Sequence, residues 1–240
     1  MIKLIKGDKP DYLSDEKVAE LTIKFSETKA SVWNHSQIKE PLSESSNGKC
    51  AYCETVVKDP GIYMEVEHFK HKNASPELVV DWDNLLPSCK RCNGTKSAKD
   101  KLIINPYLND PRADLFLDRF FILGSTELGE DTESIIDLNE DDLLVKRFRI
   151  TSIAIKKLKE IAKDFREIEK LDHHKRKRFK NILLMAQSSK PYSATVSATI
   201  HSMEEYLEIK NRLSFEELWT EELERLHVAS MEIALPLKKR

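Results

Sequence analysis

The chain has 240 residues, and its 39 Lys and Arg against 41 Asp and Glu give a formal net charge of −2. This balance excludes the overall basic composition of most proteins that bind nucleic acids alone, so such a role requires local charge or a partner. No apolar run approaches the ~18 residues that span a bilayer, and the start lacks the apolar core of a secretory signal. We therefore expect a helix-rich cytoplasmic protein without membrane contact.

The N-terminal region, residues 1–47, is predicted to be helical, because apolar residues recur at helical spacing between residues 14 and 39. The segment that follows them, EPLSESSNGK at residues 40–49, combines proline, glycine and small polar residues. This composition predicts a loop.

The central region, residues 48–105, shows a different pattern. Residues 61–69, GIYMEVEHF, have the β-branched and aromatic bias of a strand. Residues 75–88 predict a loop that leads into a second apolar segment, and residues 92–101 predict the start of a helix. A strand, a loop, a second apolar segment and a helix therefore follow one another here.

The C-terminal region, residues 106–240, is predicted to be mostly helical and to dock a partner. An acidic stretch at residues 123–145 carries eight acids and predicts either a solvated turn or hairpin, or else a docking surface or a like-charge guard against stray nucleic acid. Residues 149–187 are predicted to be helical, because apolar residues recur every three or four positions from Ile155 to Leu171. Within them, HHKRKRFK at residues 173–180 predicts either a charged helix face or a phosphate contact.

All four cysteines lie in two C-x-x-C pairs, one formed by Cys50 and Cys53 and the other by Cys89 and Cys92. In a reducing compartment such pairs are metal ligands more often than disulfides, and a tetrahedral Zn²⁺ takes four thiolates. The gap of 35 residues exceeds the usual ~15–20, which predicts a folded insert held by a structural zinc clamp. The alternative is four ordinary buried cysteines.

The insert combines an acid, an imidazole, two carboxamides and an amine at strand, loop and helix spacing: Glu67, His68, Asn84, Asn93 and Lys96. A neutral histidine accepts a proton from water near pH 7. A hard cation held by carboxylate and carboxamide oxygens stabilises charge on a phosphate, and a lysine holds a neighbouring phosphate. These residue types together predict phosphodiester hydrolysis.

Three stretches of the insert, EH at 67–68, NLL at 84–86 and CKRCNGTK at 89–96, resemble the motif of the HNH endonucleases in order and spacing. The resemblance implies a mainly α protein with an embedded small ββα-metal motif clamped by a four-cysteine zinc site. Glu67 is a mild departure, since Asp is common there in the family.

The same resemblance implies a role for each matched residue. His68 would be the general base, Asn84 would brace the loop and orient His68, and Lys96 would contact the substrate phosphate. Glu67 and Asn93 would bind a catalytic Mg²⁺ or Mn²⁺.

The residues around the motif allow more than one interpretation. Glu65 is expected to be exposed, the alternative being an acceptor behind the ligands, and His71 is expected on the surface rather than against substrate. Trp82 is expected in a small core rather than stacked on a base. Residues 89–101 carry a net +4 and predict a phosphate track with these members: Lys90, Arg91, Lys96, Lys99 and Lys101, opposed by Asp100.

The wider chain resembles the HNH nuclease subunits of Septu anti-phage systems, which are also found with retrons. The stretches that carry this resemblance are MIKLIKG, CAYCE, EVEHFKHK and WDNLLPSCKRCN. It implies an ABC-type ATPase partner (PtuA-like) and a nucleic-acid substrate, DNA or tRNA. Because some of these systems include a retron, the resemblance also allows a retron reverse transcriptase and its nucleic-acid product as partners.

Two alternatives to this function remain open. One is a non-catalytic zinc module that binds nucleic acid or protein, and the other is an HNH nuclease of a restriction or mobile-element system.

Overall fold

The computed structural model describes residues 1–57, 63–99, 101–168 and 172–238. Within them lie nine α-helices: α1 Asp15–Thr28, α2 Ser36–Ser45, α3 Lys90–Lys96, α4 Glu127–Ile136, α5 Asp141–Glu167, α6 His173–Met185, α7 Ser193–His201, α8 Glu204–Phe215 and α9 Glu221–Ile233. Four strands form two antiparallel pairs: β1 Met64–His68 with β2 Leu85–Cys89, and β3 Leu115–Asp118 with β4 Phe121–Gly124. The mainly helical class is confirmed. Residues 61 and 62 of the predicted strand, Asp100 and Leu171 lie outside the described residues.

The predicted loop at residues 40–49 is wrong in its first half, because α2 continues to Ser45 through Pro41. A proline inside a helix removes one hydrogen bond and costs about 3 kcal/mol in isolation. Ile38 and Leu42 are fully buried on one face of α2, and this packing offsets the cost. Tertiary burial therefore outweighs the local signal of the proline.

The embedded ββα motif is formed by β1, β2 and α3. Glu67 of β1 pairs with Leu86 of β2, and His68 pairs with Leu85. α3 begins directly after β2 because Cys89 is its N-cap, with Sγ accepting a hydrogen bond from the backbone N–H of Cys92 at 3.5 Å. One cysteine pair thus joins the end of a strand to the first turn of a helix.

The acidic segment at residues 123–145 is not a turn or hairpin over most of its length, because it contains α4 and the start of α5. Two glycines let α4 pack against the β3–β4 hairpin. A Cβ on Gly124 would lie 2.1 Å from the backbone nitrogen of Glu130, and one on Gly129 would lie 2.0 Å from the carbonyl oxygen of Asp114. Several apolar residues of the segment, such as Ile135 and Ile136, are buried, whereas its acids are exposed or half-buried.

The buried apolar residues form two cores. The first joins the N-terminal residues Met1, Ile2 and Leu4 to α2, the ββα motif, the β3–β4 hairpin and α4. The second lies among the helices from α5 to α9. Of the helices in the described ranges, none is both long and apolar enough to cross a membrane.

A buried ionic cluster lies between these two parts. The Glu54 carboxylate is 3.2 Å from Lys49 Nζ and 2.9 Å from the Met1 amino group, and it accepts a hydrogen bond from Ser193 at 2.7 Å. Burial alone would raise the pKa of Glu54, but the two positive charges and the Ser193 hydroxyl outweigh it and lower the pKa to about 2. The charged carboxylate therefore ties the turn after Cys53 to the start of α7.

We expect Glu54→Gln to lower the free energy of unfolding by about 3 kcal/mol, because Lys49 would remain buried without its counter-charge. Urea unfolding monitored by circular dichroism measures the change. The control is Glu20→Gln, which removes an exposed ion pair with Lys17 and should change stability by less than about 0.5 kcal/mol. Equal effects of the two substitutions would contradict a structural role for the buried cluster.

Candidate active site

The four cysteine sulfurs form a compact buried cluster in which all Sγ atoms lie within 4.8 Å of one another. Sγ of Cys53 and Sγ of Cys89 are 3.8 Å apart. With metal–sulfur bonds of about 2.3 Å, a regular tetrahedron has sulfur–sulfur edges of about 3.8 Å. Arg91 donates a hydrogen bond to Cys92 Sγ at 3.2 Å, which offsets negative charge on a thiolate. The cluster is therefore shaped to hold one metal ion.

His68 lies at the end of β1 with its imidazole buried and fixed in one orientation. Its Nε2 is 2.9 Å from the carbonyl oxygen of Val79, and its ring stands edge-on to Trp33 with centroids 4.6 Å apart. Because a carbonyl oxygen only accepts hydrogen bonds, Nε2 carries the proton and Nδ1 keeps a free lone pair. The ring is therefore held with one basic nitrogen.

The pKa of His68 is consistent with this neutral form. Burial lowers it most; the hydrogen bond to Val79 opposes this, and the positive charge of Lys72 lowers it further, to about 4. His68 is therefore unprotonated near pH 7 and is able to accept a proton.

Asn84 braces the loop that follows β1. Its Oδ1 accepts from the backbone N–H of Lys70 at 2.7 Å, and its Nδ2 donates to the carbonyls of Lys70 and Leu78 at 3.0 and 3.2 Å. Leu78 directly precedes Val79, whose carbonyl fixes His68. The contacts of Asn84 thus reach His68 through the backbone of the loop rather than directly.

Glu67 and Lys96 form a buried ion pair, with Oε1 and Nζ 2.6 Å apart and both side chains about 4% exposed. Lys96 Nζ also donates to the carbonyl oxygen of His68 at 3.0 Å. This position differs from the predicted phosphate contact, because the amine points to the strand and does not line the site cavity. Burial raises the pKa of Glu67 to about 6, although Lys96 opposes the rise.

Asn93 and Glu65 join α3 to β1. Nδ2 of Asn93 donates to Oε2 of Glu65 at 2.7 Å, so the amide nitrogen is engaged and Oδ1 is the atom left to bind another group. Glu65 is half-buried rather than exposed, and it takes the alternative role of an acceptor behind a candidate ligand. The structure thus holds the side chain of Asn93 in a defined orientation.

Several of these groups line one cavity of about 650 Å³. Four of its lining residues come from the predicted site, namely Glu67, His68, Lys90 and Asn93, and Glu65 joins them. His71 also lines it, and its Nδ1 accepts from the backbone of Asn73 at 3.3 Å. Part of the wall comes from the segment between α1 and α2, including Trp33.

Trp33 is a site residue that the helical spacing of residues 14–39 did not single out. It lies outside the motif, and only its contact with the His68 ring in the folded protein connects it to the site. A tryptophan in a short non-helical segment gives no local signal of this contact. Trp82, in contrast, is buried in the core and donates Nε1–H to the carbonyl of Gly7 at 2.9 Å.

The predicted phosphate track is divided by the fold. Lys90 lines the site cavity and Lys99 is exposed. Arg91 instead donates to the carbonyls of Ile136 and Asp137 at the end of α4, where a cation complements the helix dipole. Lys101 forms an exposed ion pair with Asp131 at 2.7 Å. With Lys96 buried, the five basic residues do not present one continuous surface.

We expect Lys96→Met to lower the free energy of unfolding by about 3 kcal/mol, because it leaves the buried Glu67 without its partner. The matched control is Lys99→Met, which removes an exposed lysine three residues away and should change stability by less than about 0.5 kcal/mol. Denaturant unfolding of both variants provides the measurement. If Lys96→Met were as stable as the wild type but bound nucleic acid weakly, the phosphate contact predicted from the sequence would be favoured.

Comparisons with known proteins agree with this geometry. A family model for the HNH endonuclease matches residues 50–99, the segment that carries the cysteines, His68 and α3. The chain is 36% identical over 241 residues to the Septu protein PtuB of Bacillus thuringiensis, covering 94% of this chain and 92% of that protein. It is 28% identical over 158 residues to the Septu protein PtuB of Bacillus mycoides (strain KBAB4), covering 50% and 53% respectively. The chain therefore belongs to the PtuB family of Septu proteins and is an HNH endonuclease.

Proposed function

We propose that this protein is the metal-dependent effector nuclease of an anti-phage complex and cuts DNA, with tRNA as the second candidate substrate. It would act in the cytoplasm with a PtuA-like ABC-type ATPase. The observation that carries the proposal is the geometry of His68, a buried neutral imidazole that is anchored through Nε2 and lines the site cavity.

His68 would act as the general base. The hydrogen bond from Nε2–H to the carbonyl oxygen of Val79 and the contact with Trp33 would hold the ring in place. Nδ1 would then accept a proton from the attacking water. Because the imidazole is neutral near pH 7, no deprotonation precedes this step. The loop braced by Asn84 keeps the carbonyl of Val79 in place.

Glu67 and Asn93 are the residues that would hold the catalytic cation. The carboxylate of Glu67 lines the site cavity, and its Oε1 lies 2.6 Å from Lys96 Nζ, so a bound cation would share this carboxylate with the lysine. Oδ1 of Asn93 is available because Glu65 holds the amide nitrogen. Carboxylate and carboxamide oxygens suit a hard cation such as Mg²⁺ or Mn²⁺. When bound, the cation supplies positive charge to the phosphate and the leaving oxygen.

The thiol cluster would hold a structural zinc. Four thiolates without a vacant position are typical of closed, non-catalytic zinc sites. The hydrogen bond that Arg91 donates to Cys92 Sγ is typical of the contacts that orient the ligands of a metal. In this assignment zinc secures the ββα motif, and hydrolysis takes place at His68.

The C-terminal helices would dock the ATPase. Val228 and Met231 expose nearly half of their side chains on one face of α9, beside an open groove of about 540 Å³. A protein of net charge −2 gains nucleic-acid affinity from such a complex. A non-catalytic zinc module is less favoured, because a zinc clamp needs neither the anchored imidazole of His68 nor the buried Glu67.

His68→Ala should reduce the rate of cleavage by about 10²- to 10⁴-fold, because the general base is lost. Plasmid DNA and total tRNA are incubated with Mg²⁺ or Mn²⁺, with and without the co-purified ATPase and nucleotide. The matched control is His71→Ala, which removes a neighbouring imidazole of the same cavity and should retain most of the activity. Cleavage by His68→Ala at the wild-type rate would reject this role. Failure of the wild type under all conditions would favour the zinc module.

The purified chain should contain about one equivalent of zinc, as expected for one four-cysteine site. Cys89→Ser should lose most of this metal and unfold more readily, because the end of β2 is no longer tied to the turn at Cys50 and Cys53. Elemental analysis and thermal unfolding provide the two measurements. Thr22→Val, which changes a residue of α1 without altering a thiol, serves as the control. A fully folded chain without metal would contradict the zinc clamp.

The double substitution Val228→Glu and Met231→Glu should abolish co-purification with the ATPase, because it replaces the two exposed apolar side chains of this face of α9 with charges. The control is Ile23→Glu, an exposed apolar residue of α1 that is 58% exposed. Pull-down of a tagged ATPase from co-expressing cells is the measurement. Retained co-purification of the α9 variant would place the docking surface elsewhere.

A further inference from the structure

The longest helix, α5, has a strongly asymmetric charge. Between Leu143 and Lys159 it carries six cations and no acid, in a chain whose overall charge is −2. Arg147 points inward and donates to the carbonyls of Phe120 and Leu138 at 2.7 Å, so it belongs to the core. The other five are exposed: Lys146, Arg149, Lys156, Lys157 and Lys159.

These five residues lie on the outer side of the helix. The buried residues of α5 recur at threes and fours on the opposite side, from Leu143 through Thr151 and Ala154 to Leu158. Lys156 has a carboxylate at 4.0 Å, that of Glu160. Within the described part of the chain, the other four exposed cations have no acid at ion-pair distance. Their charge is therefore available to an external partner.

The basic face of α5, defined by these five cations, begins beside the active site. Lys146 lines a cavity of about 620 Å³ together with Lys90 and Glu65, and the latter two also line the site cavity. Glu140 and Asp142 line this second cavity too, but Oε2 of Glu140 accepts from the backbone N–H of Leu143 at 3.2 Å and caps the helix. The two cavities therefore adjoin each other at Glu65 and Lys90.

The length of this face suits an extended polyanion. Lys146 and Lys157 are 11 residues apart on nearly the same side of the helix, which is about 16 Å at 1.5 Å per residue, whereas Lys159 lies on the flank. This distance matches about five phosphates of one strand at ~3.4 Å each. Phe148 and Ile153 are about half exposed along the same helix, and apolar side chains between cations are common where proteins contact sugars or bases.

We propose that the basic face of α5 binds the phosphodiester backbone of the nucleic-acid substrate and leads the strand into the cavity of His68. The inference rests on the proposed nuclease function and extends it to substrate positioning. An acidic protein surface is the competing occupant. Nucleic acid is favoured because the face begins at a cavity that adjoins the catalytic cavity and because α5 carries no acid between Leu143 and Lys159.

The test compares two double variants in the full chain carrying His68→Ala. One is Arg149→Gln with Lys157→Gln on the basic face, and the control is Lys24→Gln with Arg225→Gln, two exposed cations on α1 and α9. Fluorescence anisotropy measures the binding of a labelled DNA duplex and, separately, of labelled tRNA between about 50 and 200 mM salt. No divalent cation is added, so the readout does not depend on cleavage.

The basic-face variant should bind at least about tenfold more weakly than its parent, and the slope of log affinity against log salt should fall by about 2. The control should retain the affinity and slope of the parent. Comparing the affinities for duplex DNA and for tRNA shows which of the two nucleic acids the basic face binds more tightly. Because binding is measured without cutting, the result is separable from failure of the nuclease proposal.

Three outcomes would overturn the inference. The first is equal affinity and slope in both double variants, and the second is no binding of either probe by the parent. The third is unchanged binding of both probes together with loss of the ATPase in the pull-down. That result would assign the basic face to the protein partner instead.

Discussion

Four sulfurs within 4.8 Å of one another fix the relative positions of the elements that build the site. One pair of cysteines lies in the turn before β1, and the other joins the end of β2 to the first turn of α3. β1 reaches the cluster through its pairing with β2, which places Met64 opposite Cys89. A motif of two short strands and a seven-residue helix is too small to bury a sufficient core alone, so its geometry depends on the packing around it and, in the proposed assignment, on a metal held by the four sulfurs.

His68 and Asn93 are then held by contacts that leave one atom of each free. His68 uses Nε2 for Val79 and keeps Nδ1, and Asn93 uses Nδ2 for Glu65 and keeps Oδ1. Glu67 is buried beside Lys96, so the carboxylate is partly neutralised until another cation approaches. Such preorganisation lets groups act without first losing rotational freedom or hydrogen bonds to water.

The same turn that carries the first two cysteines also connects the site to the C-terminal helices. Glu54 follows Cys53 directly and accepts a hydrogen bond from Ser193 at the start of α7, while Lys49 donates to the carbonyl of Lys190. The hydroxyl groups of Thr55 and Tyr192 are 3.0 Å apart in the same region. A displacement of α7 would therefore strain buried contacts within a few residues of Cys50 and Cys53.

The sequence by itself determined the features that depend on local spacing. The two C-x-x-C pairs, the acid–histidine pair on a strand and the asparagine on the following helix identified the HNH motif, and periodic apolar residues predicted the C-terminal helices. The tertiary structure decided the features that depend on partners distant in the chain. It paired Lys96 with Glu67, brought the Trp33 ring against His68, and let Glu65 accept a hydrogen bond from Asn93. It also kept α2 helical through Pro41. Spacing fixes which side chains share a face of one element, whereas burial and pairing depend on how distant elements pack against it.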